Sequence, residues 1–309
     1  MFKYLNPKKY INFFKQYPRL QNLLKLNNKT TRLMLMNYYF NLVKKNKNLK
    51  NFFLDGSNEI NQINFKIEEL YNENNLLFKS LAHNGIVIVE NVLSFEEKQK
   101  VLNFFSEIEK KNISSDWIDK SIIDSSSIKY KDSNKVKISC MKKNIKYLPS
   151  LSRLNDYVTK KIFGKKINTV AEFFLHECID TETPDSYEDT KFHIDRYLPC
   201  LKIIYTPNKI NEASAPFGFI KKTHKLNNEF MRNFTLNSKK FFIDDEHLTL
   251  DLKNNEVSTI CPENSLIISF TNGFHKRNIF LEKNVRKMIF FQFTNNFNFF
   301  FLLNYKKYN

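Results

Sequence analysis

The chain has 309 residues, of which 42% are hydrophobic and 15% aromatic, and its formal net charge is +17 at pH 7. This length and hydrophobic content suffice for one large or two smaller buried cores, which excludes a disordered or fibrous chain. The charge is typical of proteins with an anionic partner, but Lys, Asn, Ile, Phe and Tyr are also the residues of AT-rich codons. The lack of a dense basic block favours the codon explanation, so we expect no nucleic-acid partner.

Localisation signals are missing from the sequence. Charged residues and Pro interrupt the first part of the chain, unlike a signal peptide, and no apolar run reaches the roughly 18 residues that span a bilayer. The cysteines form no Cys-x-x-Cys pair, which favours reduced thiols over a disulfide framework. These features predict a cytoplasmic protein without a transmembrane segment, and they leave the oligomeric state open.

Residues 1–75 are predicted to form a basic helical extension ahead of the main domain, residues 76–309. Apolar residues recur at helical intervals in the extension, which would place Leu33, Met36, Phe40 and Val43 on one face. An apolar face needs burial, so packing on the main domain is favoured over docking on an anionic partner.

The main domain is predicted to begin with a strand in HNGIVIVENVL (83–93) and a helix whose N-cap is Ser94. A second helix is predicted to end at Gly164. From about residue 167 the apolar pattern has a period of two, which is typical of strands. The predicted strands are TVAEFFLHECID (169–180), LKIIYT (201–206), FGFI (217–220), SLIISF (265–270) and RKMIFFQFT (286–294). Helices first and strands afterwards predict an α+β chain, mainly β, with an antiparallel sandwich or barrel.

His193 and Asp195 are the first candidates for chemistry. They precede a predicted strand, and residues two apart in extended backbone point to the same side, so both can reach one ion. A neutral imidazole and a carboxylate suit Fe(II), whose facial site needs one more histidine. His275, which follows an apolar strand, is among the remaining histidines. The alternative is a turn histidine hydrogen-bonded to its neighbouring aspartate.

Two segments resemble the phytanoyl-CoA dioxygenase family, whose members are Fe(II)- and 2-oxoglutarate-dependent oxygenases. They are HIDRYLPCLKIIYTPNKINEASAPFGFIKKTHK and IISFTNGFHKRNIFLEKNVRKMIFFQF. The family's His-x-Asp motif, its second histidine and its arginine fall on His193 and Asp195, on His275 and on Arg286. The resemblance covers about residues 76–295. It implies a double-stranded β-helix, a jelly-roll or cupin-like barrel with flanking helices.

The resemblance also implies a role for each of these residues. His193, Asp195 and His275 would bind Fe(II) and leave positions for 2-oxoglutarate and O2. Arg286 would clamp the distal carboxylate of 2-oxoglutarate, because a planar guanidinium can bind a carboxylate through two parallel hydrogen bonds. The retained carboxylate of Asp195 implies hydroxylation or another oxidation and not halogenation, since halogenating relatives have a small residue at this position.

Thr271 and Asn278 are further candidates for holding 2-oxoglutarate, and the polar segment Leu226–Asn264 is predicted to form a lid over the mouth of the barrel. The predicted activity is hydroxylation of an unactivated C–H bond in a small organic molecule (a lipid, glycan or metabolite), with release of succinate and CO2. The alternative is a catalytically silent barrel that binds a ligand or partner through its basic N-terminal region. A nucleic-acid modifier is a third candidate, and it predicts an affinity that falls steeply with salt.

Overall fold

The computed structural model describes most of the chain from residue 43 onward. The described residues are 37, 40, 41, 43–54, 59–72, 75–110, 124–129, 133–141, 148–164, 169–178, 188–195, 199–238, 241–243 and 245–293. Residues 1–36 of the predicted helical extension lie outside them.

Helices and strands alternate irregularly along the described chain. The helices are α1 (Lys47–Phe53), α2 (Ile67–Leu70), α3 (Leu76–Asn84), α4 (Phe95–Glu109), α5 (Pro149–Phe163), α6 (Glu229–Asn237) and α7 (Leu250–Asn254). The strands are β1 (Asn64–Lys66), β2 (Ile86–Glu90), β3 (Asp124–Lys129), β4 (Ser133–Met141), β5 (Thr169–Cys178), β6 (Leu201–Thr206), β7 (Phe217–Ile220), β8 (Glu256–Ser258), β9 (Ser265–Phe270), β10 (His275–Arg277) and β11 (Asn284–Phe293). No described helix is long and apolar enough to cross a membrane.

The strands form two sheets that share an apolar core. The large sheet has the order β1-β2-β9-β6-β11-β5-β4-β3, and the small sheet has the order β10-β7-β8. From β5 onward the chain passes back and forth between them: β5 and β6 are in the large sheet, β7 and β8 in the small one, β9 in the large, β10 in the small and β11 in the large. This alternation is the topology of a jelly-roll-like double-stranded β-helix. The predicted fold class, an α+β chain with a β core and flanking helices, is confirmed.

Side chains of the large sheet alternate between two cores. Leu201 and Ile203 of β6 belong to the outer core, which the sheet shares with the helices. Ile204, between the two sheets, belongs to the inner core together with Phe219 of β7. Because both faces are covered, β9 is buried at every position, which explains why its sequence is an almost continuous apolar run.

Local signals set the ends of the predicted helices. The Ser94 side chain accepts a hydrogen bond from the Glu97 N–H at 3.2 Å, so it caps the N-terminus of α4 as predicted. Helix α5 ends at Gly164, whose φ of +76° is a left-handed conformation that favours glycine. The hairpin of β3 and β4 lies in a polar stretch where the sequence predicted no strand.

The end of the predicted extension packs on the barrel. Leu49 and Phe53 of α1 and Leu70 of α2 are buried in the outer core, and β1 pairs in parallel with β2 at the edge of the large sheet. The described part of residues 43–72 is therefore continuous with the core of the main domain. The predicted boundary at residue 75 stays a prediction.

A buried histidine ties α3 to the turn after β7. The ring of His224 stacks on Phe270 with the centroids 5.3 Å apart, and its Nε2–H donates to the carbonyl oxygen of Ala82 at 3.1 Å. A Cβ at Gly85 would lie 2.4 Å from His224 Nδ1, so this position needs glycine. Burial, reinforced by the charge of Lys225, holds the pKa of His224 well below its ordinary value.

Replacing His224 with Gln should make the stability of the protein less sensitive to acid. Below about pH 6.5 an unfolded histidine takes up a proton, whereas native His224 stays neutral. The free energy of unfolding therefore decreases as the pH is lowered, by up to about 1.4 kcal/mol per pH unit. Urea unfolding between pH 7 and pH 5 measures this slope. H224Q should start about 1 kcal/mol less stable at pH 7 and then lose less on acidification. Equal losses in the two proteins would contradict the assignment.

Candidate metal centre

The two candidate histidine ligands lie far apart in sequence, but they stand opposite each other in two segments that are adjacent in space. His193 and His275 form an antiparallel pair in which the backbone N–H of each donates to the carbonyl oxygen of the other, both at 2.9 Å. Two residues further on, the N–H of Asp195 donates to the carbonyl oxygen of Thr271 at 2.9 Å. The His-x-Asp segment therefore extends the small sheet beyond β10.

Each imidazole is held through Nδ1 and presents Nε2 to the site. His193 Nδ1 lies 2.8 Å from the carbonyl oxygen of Lys191, and His275 Nδ1 lies 3.0 Å from that of Gly273. A carbonyl oxygen only accepts, so Nδ1 of each ring carries the proton and Nε2 keeps its lone pair. Metal-binding histidines are usually fixed in this way.

The turn before β10 is braced by the turn after β7. The Thr223 hydroxyl accepts from the N–H of Phe274 at 2.9 Å, and the Asn272 side chain donates to the carbonyl oxygen of His224 at 2.9 Å. A Cβ at Gly273 would lie 2.9 Å from the Thr223 hydroxyl oxygen, so this close approach requires glycine. The bracing fixes the backbone that carries His275.

The carboxylate of Asp195 faces a histidine on one side and a lysine on the other. Its Oδ1 lies 3.5 Å from His275 Nε2, and its Oδ2 lies 2.9 Å from Lys202 Nζ. Burial alone would raise the pKa of Asp195, but the charge of Lys202 and the Thr271 hydroxyl hold it well below its ordinary value. Burial by itself would lower the pKa of Lys202, but the charge of Asp195 and the hydrogen bond to it raise that pKa above its ordinary value.

The donor atoms of His193, Asp195 and His275 all lie within 4.8 Å of one another, close enough for one ion to join them. Burial and the neighbouring His275 lower the pKa of His193 to about 4, so that imidazole is neutral at physiological pH. The His275 Nε2 atom is buried and accepts no hydrogen bond within the described structure. Two imidazoles and one carboxylate form the donor set that suits Fe(II), so these residues fit the predicted metal.

An ion pair anchors the segment that leads into the His-x-Asp motif. Arg277 of β10 donates from Nε and Nη2 to the two carboxylate oxygens of Asp189, each at 3.1 Å. Asp189 lies in a short 3₁₀ helix, Glu188–Thr190, just ahead of His193. Arg277 is buried and Asp189 is partly exposed. This fork-shaped contact holds the ligand segment against β10.

The remaining predicted site residues occupy different surroundings. Thr271 is fully buried and lies beside Asp195. Arg286 is buried on β11, opposite His176 of β5. The Asn278 side chain donates to the Ser258 hydroxyl at 3.0 Å, at the edge of the small sheet. The roles of these three residues in binding 2-oxoglutarate stay predictions.

Two features of the site were not predicted from the sequence as functional. Lys202 was not among the predicted ligands of the metal or of 2-oxoglutarate, although a lysine at an inward position of a buried strand is itself a signal. The segment Leu226–Asn264, whose role as a lid stays a prediction, contributes β8 to the small sheet. Within it, Ile243 donates to the carbonyl oxygen of Phe192 at 2.9 Å, which supports the ligand segment from its other side.

Comparisons with known proteins find similarity only among solved structures. No family model and no curated protein matches the sequence. The chain is similar to EctD from S. alaskensis in its apoform, with a TM-score of 0.47 and 12% identity over 78% of this chain and 81% of that chain. It is also similar to the non-heme alpha ketoglutarate dependent carbocyclase SnoK from nogalamycin biosynthesis, with a TM-score of 0.42 and 11% identity over 73% and 82% of the two chains.

A further similar structure is HygX from Streptomyces hygroscopicus, solved with nickel, 2-oxoglutarate and hygromycin B bound. Its TM-score is 0.42 and its identity is 13% over 74% of this chain and 88% of that chain. Scores this low transfer no activity, ligand or substrate to this chain. The resemblance to the phytanoyl-CoA dioxygenase family therefore rests on the sequence motifs, on the strand topology and on the geometry of the site.

Replacing His275 with Ala should remove most of the affinity for a divalent metal. The variant loses one of three converging donors, so its Co(II) affinity, measured by calorimetry, should fall by more than about 100-fold. That is more than the loss usually seen when a residue that only supports a ligand is replaced. The control is His247→Ala, because His247 is exposed and lies outside the cluster. Co(II) affinity that is the same in the two variants would remove His275 from the ligand set.

Replacing Arg277 with Met should weaken Co(II) binding by roughly tenfold, because the ligand segment loses its anchor. The control is Lys287→Met, which removes the ion pair between Lys287 and Glu109 at 2.8 Å, away from the cluster. R277M is expected to lose affinity for Co(II) while K287M keeps it. If both variants bind Co(II) like the unmodified protein, the Asp189 contact does not position the ligands.

Proposed function

We propose that this chain is an Fe(II)- and 2-oxoglutarate-dependent oxygenase that hydroxylates an unactivated C–H bond of a small organic molecule. One observation carries the proposal: His193, Asp195 and His275 converge with both Nδ1 atoms held by carbonyl oxygens and one carboxylate oxygen turned toward the histidines. Bound Fe(II) would supply the oxidation of the substrate by O2, coupled to conversion of 2-oxoglutarate into succinate and CO2.

The ligands are prepared for the metal before it binds. The two histidines offer Nε2 lone pairs, and Asp195 supplies the negative charge that partly offsets the charge of the ion. Because His193 is neutral and Asp195 ionised near neutral pH, no proton has to leave these two groups when the metal enters. The backbone hydrogen bonds between His193 and His275 keep the two imidazoles close together even when no metal is bound.

The surroundings of the metal centre support oxidation of an uncharged group. Phe217 of β7 stacks on His275 with the ring centroids 5.2 Å apart. Phe217 also belongs to the apolar core between the two sheets, together with Ile204 and Met288 of the large sheet and Phe219 of the small one. Apolar surroundings of this kind keep water from the reacting atoms and leave few polar contacts for a charged reacting group.

Arg286 is the candidate for the far carboxylate of 2-oxoglutarate. It is buried, and it lies two positions before the inward-facing Met288 on β11, so it shares that face of the strand. A guanidinium on this face can bind a carboxylate through two parallel hydrogen bonds. Its role is part of the proposal.

Anaerobic titration with Fe(II) and 2-oxoglutarate tests the proposal. The unmodified protein should develop a weak visible charge-transfer band, and Asp195→Ala should abolish it or weaken it severely. The control is Asp251→Ala, because Asp251 is an exposed carboxylate in the first turn of α7. A band of unaltered intensity in D195A would overturn the assignment.

Turnover distinguishes the enzyme from a silent barrel. Succinate release, measured with the Fe(II)-loaded protein across pools of small metabolites, should rise above the uncoupled background in at least one pool. Binding of Fe(II) without any binding of 2-oxoglutarate would instead favour the silent barrel that acts as a ligand- or partner-binding protein.

A further inference from the structure

Lys202 is a largely buried cation beside the metal centre. It lies on β6 between Leu201 and Ile203, which face the outer core, so its side chain belongs to the inward face of the strand. The side chain is 16% exposed. Position 202 pairs with Ser269 of β9 on one side and Gln292 of β11 on the other, which places it within the large sheet and not at an edge.

The ammonium of Lys202 has more donors than the described structure has acceptors for it. Its only ion pair or hydrogen bond with a described side chain is the 2.9 Å contact with Asp195 Oδ2. An ammonium carries three N–H donors, so two remain for another acceptor. Charges in a protein interior are normally paired and fully hydrogen-bonded, so the two spare donors of this largely buried ammonium are available to an acidic ligand.

The geometry of Asp195 leaves Lys202 in place when the metal enters. Oδ1 is the oxygen on the histidine side, 3.5 Å from His275 Nε2, whereas Oδ2 is the oxygen that Lys202 holds. The two oxygens can therefore serve the metal and the ammonium at the same time. Any ligand that joins the metal next to Asp195 also comes close to Lys202.

Lys202 and Arg286 mark different ends of the inner face. In the register of the large sheet, Lys202 lies opposite Gln292, whereas Arg286 lies six residues earlier on β11. Only Lys202 contacts Asp195 directly among the described lysines and arginines. The two cations are therefore too far apart along the sheet to bind the same carboxylate.

We propose that the ammonium of Lys202 binds the carboxylate at the metal-chelating, 2-oxo acid end of 2-oxoglutarate, while Arg286 holds the far carboxylate. This inference rests on the proposed function. An incoming carboxylate next to the metal is repelled by the negative charge of Asp195, and Lys202 offsets that repulsion while it donates a charge-assisted hydrogen bond. Lys202 is thus a co-substrate-binding residue and not a metal ligand.

Ligand affinities of the full chain, loaded anaerobically with Fe(II), test the inference without turnover. Two ligands are titrated by the visible band: 2-oxoglutarate, which has both carboxylates, and pyruvate, which has only the 2-oxo acid end. Lys202→Met should weaken both by a similar factor of about tenfold or more. Arg286→Met should weaken 2-oxoglutarate and leave pyruvate unchanged. Lys202→Arg, which keeps the charge, should recover part of the affinity for both ligands.

The matched control is Lys276→Met. Lys276 neighbours His275 in the sequence, but its ammonium is paired with Glu256 at 3.0 Å and lies over the ring of Phe192. K276M should bind both ligands like the unmodified protein. An equal loss in K276M and K202M would overturn the inference, because a general loss of positive charge would then explain both.

The other outcomes separate this inference from the proposed function. No band with 2-oxoglutarate in the unmodified protein ends the proposed function and this inference with it. If the unmodified protein gives the band and K202M binds 2-oxoglutarate and pyruvate with unchanged affinity, only the role of Lys202 is overturned. A loss of 2-oxoglutarate but not pyruvate affinity in K202M overturns it too, since Lys202 would then act at the far carboxylate.

Fe(II) affinity and thermal unfolding of each variant are measured first. K202M is expected to bind Fe(II) within about threefold of the unmodified protein, because Oδ1 of Asp195 still faces the histidines. Loss of Fe(II) by a folded K202M would show that Lys202 acts through Asp195 and would overturn the inference. If K202M does not fold, Lys202→Gln takes its place, with the same expected weakening of both ligands.

Discussion

A pair of backbone hydrogen bonds between His193 and His275 is the constraint on which the site depends. These residues are far apart in the chain, and the mutual N–H to carbonyl contacts at 2.9 Å bring them to opposite positions of one antiparallel pair. Asp195 follows in the same pairing through Thr271. The geometry of the donors is therefore fixed by sheet hydrogen bonds, so the entropy of bringing them together is lost on folding and not on metal binding. A preformed centre of this kind needs rigid neighbours on both sides.

The small sheet and its surroundings supply that rigidity. The turn with Gly273 is held against Thr223, and the segment ahead of His193 is held by the ion pair of Asp189 and Arg277. On the other side, the chain around Ile243 pairs with Phe192. Each contact joins the ligand segments to a part of the barrel that is remote in sequence. The ammonium of Lys202, 2.9 Å from Oδ2 of Asp195, then balances the charge of the partly buried carboxylate.

The sequence predicted much of the fold because its signals are local. Strands β6, β7 and β9 begin and end at the predicted residues, and the cap of α4 at Ser94 was visible as a hydroxyl three residues before a glutamate. The hairpin of β3 and β4 was missed because its residues are polar and carry no clear period of two. The burial of His224 has no local signal, because its neighbours in sequence include three lysines and its contacts with Phe270 and Ala82 come from distant elements.

By itself, the sequence determined the types of the candidate ligands, their order along the chain and the side to which His193 and Asp195 both point, because spacing within one strand follows from backbone geometry. It could not determine that His275 lies opposite His193, that Lys202 pairs with Asp195, or that Arg277 anchors Asp189. Each of these contacts joins residues whose strands meet only when the two sheets close on each other. The tertiary structure decided them, because the pairing and the register of distant strands depend on how the whole core packs.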